Sequence, residues 1–203
     1  MTRKASLVTR IFGGCLLALF ISGCGSKQPV TYYNLTPLPS AQPRPRPSET
    51  HPPMAIGIGP VQLPDALSRV QIAARLDPQR LKYDDSQRWS GSLSDDFVVV
   101  LTEDIAARLP EQATVAAFPW GSYFQPSHRL VLNVSRFDGT PGAEVELSAR
   151  WTITDSSGKE TLLSRKSTLQ VKMTGDDFQS LVTAHSQALA DLAQEIATAL
   201  VRP

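Results

Sequence analysis

The stretch "LVLNVSRFDGTPGAEVELSARWTITDSSGKETLLSRKSTLQVKM", Leu130 to Met173, decides the fold class. It holds three runs, Leu130 to Phe137, Glu144 to Thr154 and Thr161 to Met173, in which apolar and polar residues alternate as they do on a strand with one buried face. Asp138-Gly139 and Asp155-Ser156-Ser157-Gly158 separate the runs, and both have the composition of tight turns. The prediction is an antiparallel meander.

On its C-terminal side, Thr174 and Asp177 match a capping box. Phe178, Leu181, Val182, His185, Leu189, Leu192, Ile196 and Leu200 follow at spacings of three and four, one apolar stripe along a long helix. On its N-terminal side, Ala113 to Phe118 reads as a buried strand. Ahead of that, Ser92 and Asp95 form another capping box, with Phe97, Leu101, Ile105 and Leu109 recurring behind it. This predicts an amphipathic helix over 93–109, stopped by Pro110.

Upstream, "MAIGIGPVQLP" from Met54 alternates isoleucine with glycine, as a strand with close backbone neighbours does. Gly57-Ile58-Gly59 lacks the third glycine and the downstream acid of a nucleotide fingerprint. Short strands are expected at Gln71 to Arg75 and Arg80 to Tyr83, the second ending in a turn at Asp84-Asp85-Ser86, and another at Val30 to Leu35. The fold class is therefore α+β, a two-layer sandwich in which a mixed, mainly antiparallel sheet carries two amphipathic helices on one face.

The N-terminus adds a location. Arg3, Lys4 and Arg10 precede the apolar run Ile11 to Phe20, and Ile21-Ser22-Gly23-Cys24 ends it with small residues. That is a secretory signal, too short for a bilayer span of about 20 residues. Its end matches a bacterial lipobox, which makes Cys24 the lipidation site; the other reading is an ordinary signal peptide with a chance cysteine. Residues 1–23 are then the signal peptide, removed together with Cys15, and 24–29 a lipidated tether. A single domain follows over 30–203, with a proline-rich loop at 40–53, "SAQPRPRPSETHPP". Gly25, rather than aspartate, follows the cysteine, which favours the outer membrane over inner-membrane retention. Of the residues, 41% are hydrophobic and 19% charged, with a net charge of +1, so no nucleic-acid or polybasic membrane patch is implied and attachment falls to the lipid.

Residue chemistry points away from catalysis. His51 falls in the proline-rich loop, His128 in a polar loop and His185 on the apolar stripe, none at metal-ligand spacing from another donor. The pairs Asp95-Asp96 and Asp176-Asp177 sit where helices begin and serve as caps. No nucleophile elbow or zincin motif occurs. "FPWGSYF", Phe118 to Phe124, is the better lead: Trp120, Tyr123 and Phe124 either cover the sheet edge or contact a partner or lipid.

With these residues in place, the chain resembles the PqiC/YmbA family of ABC-type transport auxiliary lipoproteins associated with MCE-type lipid transporters. The resemblance is carried by the lipobox, Tyr32-Tyr33-Asn34-Leu35, Ile56 to Pro64, Gln71-Ile72-Ala73-Ala74-Arg75, Arg88-Trp89, Arg136-Phe137-Asp138 and Leu147 to Trp151. Ala66 and Val70 depart from it, standing where the family often has an aromatic residue and a proline. It implies a non-enzymatic, cofactor-free, outer-membrane lipoprotein facing the periplasm. Its expected partner is an MCE-domain, PqiB-like protein whose conduit carries phospholipid or other hydrophobic molecules between the membranes. The role is to dock that system and support envelope integrity, in some members as a homo-oligomeric ring. The competing reading is a lipid- or lipopolysaccharide-binding carrier.

Overall fold

A computed structural model describes residues 29–40 and 53–201. The signal peptide, Cys24, His51 and most of the proline-rich loop lie outside the described residues. Within them the elements are β1 (Thr31–Tyr33), β2 (Ala55–Gln62), β3 (Gln71–Asp77), β4 (Arg80–Trp89), α1 (Leu93–Arg108), β5 (Thr114–Ala117), β6 (His128–Thr140), β7 (Glu144–Asp155), β8 (Thr161–Lys172) and α2 (Phe178–Val201). The eight strands form one mixed sheet.

The sheet is organised by β6, its longest strand at 13 residues. One edge of β6 pairs antiparallel with β7 from His128↔Asp155 to Thr140↔Glu144, and β8 pairs with β7 in turn, which completes the predicted meander. The other edge is shared. Its first part takes β2 in parallel, from Ile56↔His128 to Gln62↔Asn133, and its end takes β3 in parallel at Ala74↔Gly139. The sheet forks there: β5 continues it beyond β2, while β4 and then β1 continue it beyond β3.

At the fork the β6 register shifts between Val134 and Arg136. A side-chain clamp spans the gap the ladder leaves. The buried Asp138 carboxylate accepts two hydrogen bonds from Arg75 on β3, Nε at 2.5 Å and Nη2 at 2.7 Å, and one from Arg136 Nε at 3.1 Å. Arg136 also donates to Glu146 on β7 at 2.7 Å. Burial by itself would raise the Asp138 carboxyl, but the two guanidinium partners together hold it below the usual carboxylate range.

Both helices pack on one face, side by side, α1 over β2 and β5 and α2 over β6, β7 and β8. Phe97 and Phe137 meet edge to face at 5.2 Å, and His185 stands edge-on to Phe137 at 4.8 Å and Trp89 at 5.8 Å. Trp151 is fully buried, and its indole donates to Ser167 Oγ at 2.9 Å. Ser92 caps α1, its Oγ accepting from Asp95 N at 3.3 Å.

Three local expectations are corrected. Asp138-Gly139 is not a turn: β6 runs on to Thr140 and the chain reverses at Pro141-Gly142-Ala143, with Gly142 at φ +76°. Gly139 is instead a point of close approach, since a Cβ there would lie 2.6 Å from Leu181 Cδ1 and 2.7 Å from Val145 Cγ2. Asp84-Asp85-Ser86 lies inside β4, where the register slips between Ala73↔Tyr83 and Gln71↔Arg88, so its turn-like composition accommodates a bulge. Asp177, not Thr174, is the N-cap of α2, accepting from Ser180 N at 2.7 Å. The turn at Asp155 is as expected: Ser157 Oγ and the amides of Lys159 and Glu160 bond its carboxylate and hold it down to about 2.

Gly139→Ala is expected to lower the urea-unfolding free energy by about 1–3 kcal/mol through overpacking. Gly91→Ala, whose added methyl meets nothing within 4 Å, should stay within about 0.5 kcal/mol of the parent. Asp138→Asn should cost about 1–3 kcal/mol at pH 7, because it removes the charged acceptor of the partly covered Arg75 while Arg136 keeps Glu146. The folded Asp138 titrates below its ordinary 3.8, so its stabilisation is complete above that value and is lost as pH falls through the lower folded one. The gap between parent and Asp138→Asn in denaturation midpoint should therefore narrow below about pH 4; a constant gap would assign the cost to packing.

Candidate functional site

Three surface regions of the described residues carry enough chemistry to weigh as sites. The first is an open depression of about 450 Å³ at the fork, lined by Arg75, Asp77, Pro78, Ser135, Arg136 and Thr140. Its guanidinium groups are engaged by Asp138 and Glu146, so it presents a neutralised polar surface rather than a cationic cradle. The second, about 290 Å³, lies between Leu63 to Val70 and the start of α1 at Gly91 to Ser94. It is a shallow mixture of leucine, valine and serine with Arg69, whose guanidinium lies over the Tyr83 ring at 4.8 Å.

The third is the aromatic segment that follows β5. Pro126, at its end, is buried, and the segment crosses the sheet face opposite the helices. Ile56 and Ile58 of β2 point into the core, and Gly57 between them points the other way. Trp120 fills the space over Gly57 so closely that a Cβ there would lie 2.8 Å from the indole. The alternating glycines of β2 predict close backbone neighbours; over Gly57 the close neighbour is instead the Trp120 side chain.

Around this seat the ring geometry is edge to face, Phe118 to Trp120 at 5.3 Å and Trp120 to Phe124 at 6.2 Å. The Arg129 guanidinium lies 5.9 Å from the Trp120 ring centre. Arg129 Nε is buried without a hydrogen-bond partner. Trp120 and Phe124 are half-buried, Phe118 is 57% exposed and Tyr123 92% exposed. The three residues singled out in the sequence thus divide, with Trp120 and Phe124 seated on the sheet and Tyr123 projecting. Phe118, the first residue of that stretch, and Arg129, five residues beyond Phe124, join the group; only the fold reveals the exposure of the one and the stacking of the other.

His185 is buried, its Nδ1 2.8 Å from the Leu181 carbonyl oxygen, and burial pushes it down, so it is a neutral packing group. His128 Nδ1 lies 3.0 Å from Ser127 Oγ. Asp104 and Arg108 form a buried pair at 3.0 Å on α1 that the sequence reading missed, because an i,i+4 pair carries no sign of burial. Asp104 also accepts from Leu38 N at 2.9 Å, Arg108 donates to Leu38 O at 3.4 Å, and Ser186 Oγ accepts from Thr36 N at 3.2 Å. The segment after β1 is thereby strapped across both helices. Among the described residues no cluster of histidine, cysteine and carboxylate side chains is placed to hold a metal ion, and no helix is long and apolar enough to cross a membrane.

The fold is shared with solved structures of low sequence identity. A crystal structure described only as that of an uncharacterized protein superposes with a TM-score of 0.68 at 20% identity, covering 85% of this chain and 99% of the other. A crystal structure of a Xanthomonas campestris protein gives a TM-score of 0.62 at 17% identity, covering 82% of this chain and 92% of that one. No curated protein matches the sequence. The model of the ABC-type transport auxiliary lipoprotein component family matches residues 33–197. That span runs from the end of β1 almost to the end of α2, and the chain belongs to that family.

Proposed function

We propose that this protein is the non-enzymatic, lipid-anchored auxiliary subunit of an MCE-type intermembrane lipid transport system, held at the outer membrane and facing the periplasm. The family match across the whole folded domain carries this reading. The lipobox supplies the anchor: residues 1–23 are the signal peptide, and Cys24 carries the lipid. Each buried CH₂ of the attached chains contributes roughly 0.8 kcal/mol, so several chains hold the protein without a membrane-spanning helix. Gly25 after the lipidated cysteine supports outer-membrane sorting. The partner is an MCE-domain, PqiB-like protein, and the folded domain is its docking body, assembling as a homo-oligomeric ring. No nucleic acid takes part.

Mass spectrometry of the protein from native membranes should find acyl chains on Cys24. In a crosslinking pull-down of the full-length chain, an MCE-domain protein should be recovered and should fall to background with Cys24→Ala. Recovery of lipid without any protein partner would identify a carrier instead.

A further inference from the structure

The sheet ends in three strands that have a neighbour on one side only, and they differ in length. β1 covers three residues and β5 four, while β8 runs for 12, with its register against β7 unbroken from Leu163 to Lys172. Among the described residues no strand pairs with the other side of β8. The backbone N–H and C=O groups turned away from β7 therefore form an open row about 40 Å long. Proteins ordinarily shorten, bulge or cover such an edge.

The side chains along this edge are cationic. Lys166 is directly opposite Arg150 of β7, and Arg150 is opposite Asn133 of β6. Ala149 and Trp151, on either side of Arg150, are fully buried under the helices, which puts Arg150 and Lys166 on the outer face of the sheet. Like charges facing each other across a strand pair are destabilising, yet the fold keeps them together. On the helix side, Arg165 lies over the Trp151 ring at 5.9 Å. Arg150, Arg165 and Lys166 are exposed and, among the described residues, form no ion pair. The carboxylates around them are engaged: Glu146 by Arg136, Glu195 by the Ser167 hydroxyl that donates to it, and Glu144 stands opposite Lys172. A lysine alone would guard the edge against aggregation. A guard needs no second cation set against it on β7.

We infer that β8 is the docking edge for an added strand of the protein partner, whose carboxylate side chains meet Lys166 and Arg150 on the outer face and Arg165 on the helix side. This rests on the auxiliary-subunit reading above and assigns its contact. The open backbone row selects a polypeptide, because a lipid surface supplies no line of alternating donors and acceptors. The charge selects against a second copy of this chain. Paired antiparallel with its own copy in one continuous sheet, β8 keeps both Lys166 side chains on the same face. Registers that use the full edge then set the two lysines directly opposite or on the adjoining diagonal.

The test uses full-length protein in native membranes. A photo-crosslinking phenylalanine analogue at Gln170, exposed on β8, should capture the MCE-domain protein through a segment that carries aspartate or glutamate. The same analogue at Val99, 53% exposed on α1, should not. Lys166→Glu should lower recovery of that protein about tenfold in the pull-down, since it sets like charges against each other in the interface. The same substitution places a carboxylate opposite Arg150, so the melting temperature should hold or rise, which separates lost docking from lost folding. Undiminished recovery with Lys166→Glu would overturn the assignment, as would equal capture from Val99, or capture of phospholipid or a second copy of this chain from Gln170. Failure to recover any MCE-domain protein with the unaltered chain would overturn the auxiliary-subunit reading as well.

Discussion

Everything in this fold depends on β6 having one complete edge and one divided edge. Against β7 its ladder runs from His128 to Thr140, but on the other side it must hand its hydrogen bonds from β2 to β3 partway along. Backbone groups between two partners would be left without bonds, and buried ones are costly. The register shift after Val134 re-aims the strand at that point. The Asp138 carboxylate, gripped from β3 by Arg75 and from its own strand by Arg136, adds charge-assisted side-chain bonds between β3 and β6 where their ladder is short. The β3–β4–β1 wing is thus tied to β6 and β7 by a side-chain clamp as well as by its short ladder, while the β2–β5 wing is held by its own parallel ladder on β6.

The same stretch of β6 sets the position of α2. Phe137 and Gly139 point toward the helices, Phe137 receiving the edges of Phe97 and His185 and Gly139 letting Leu181 come down onto the sheet. His185, from the sequence a polar residue on an apolar stripe, fits because its Nδ1 reaches the carbonyl one turn back and its ring serves as an aromatic edge. With α2 fixed by these contacts, α1 packs beside it and over β2 and β5, and the single helical layer is complete.

Periodicity was enough to read both helices, the meander and the order of the layers, because each of those elements buries one face and repeats it over many residues. Asp138-Gly139 and Asp84-Asp85-Ser86 were misread as turns for a common reason: aspartate, serine and glycine suit turns, bulges and tight helix contacts alike, and only the tertiary partner tells them apart. The fork left no local trace, since Ala74 and Gly139 are far apart in the chain. Of the aromatic segment, the glycine pattern of β2 predicts only a close approach of backbone, and the structure puts the Trp120 indole there. Which ring would fill the gap and which would project were not legible, because the choice depends on how the segment crosses the sheet.

The strap behind β1 has a mechanical consequence. Leu35 is buried, Thr36 is bonded to α2 and Leu38 to the Asp104–Arg108 pair of α1, all directly in line with a strand paired to β4. A pull along the strand axis on the residues ahead of Thr31 loads these attachments together, in shear, and passes into both helices at once. A terminus fixed only by its first hydrogen bonds would unzip one bond at a time; this one behaves as a riveted joint, so strain between a membrane and whatever the domain holds is carried by the body of the protein.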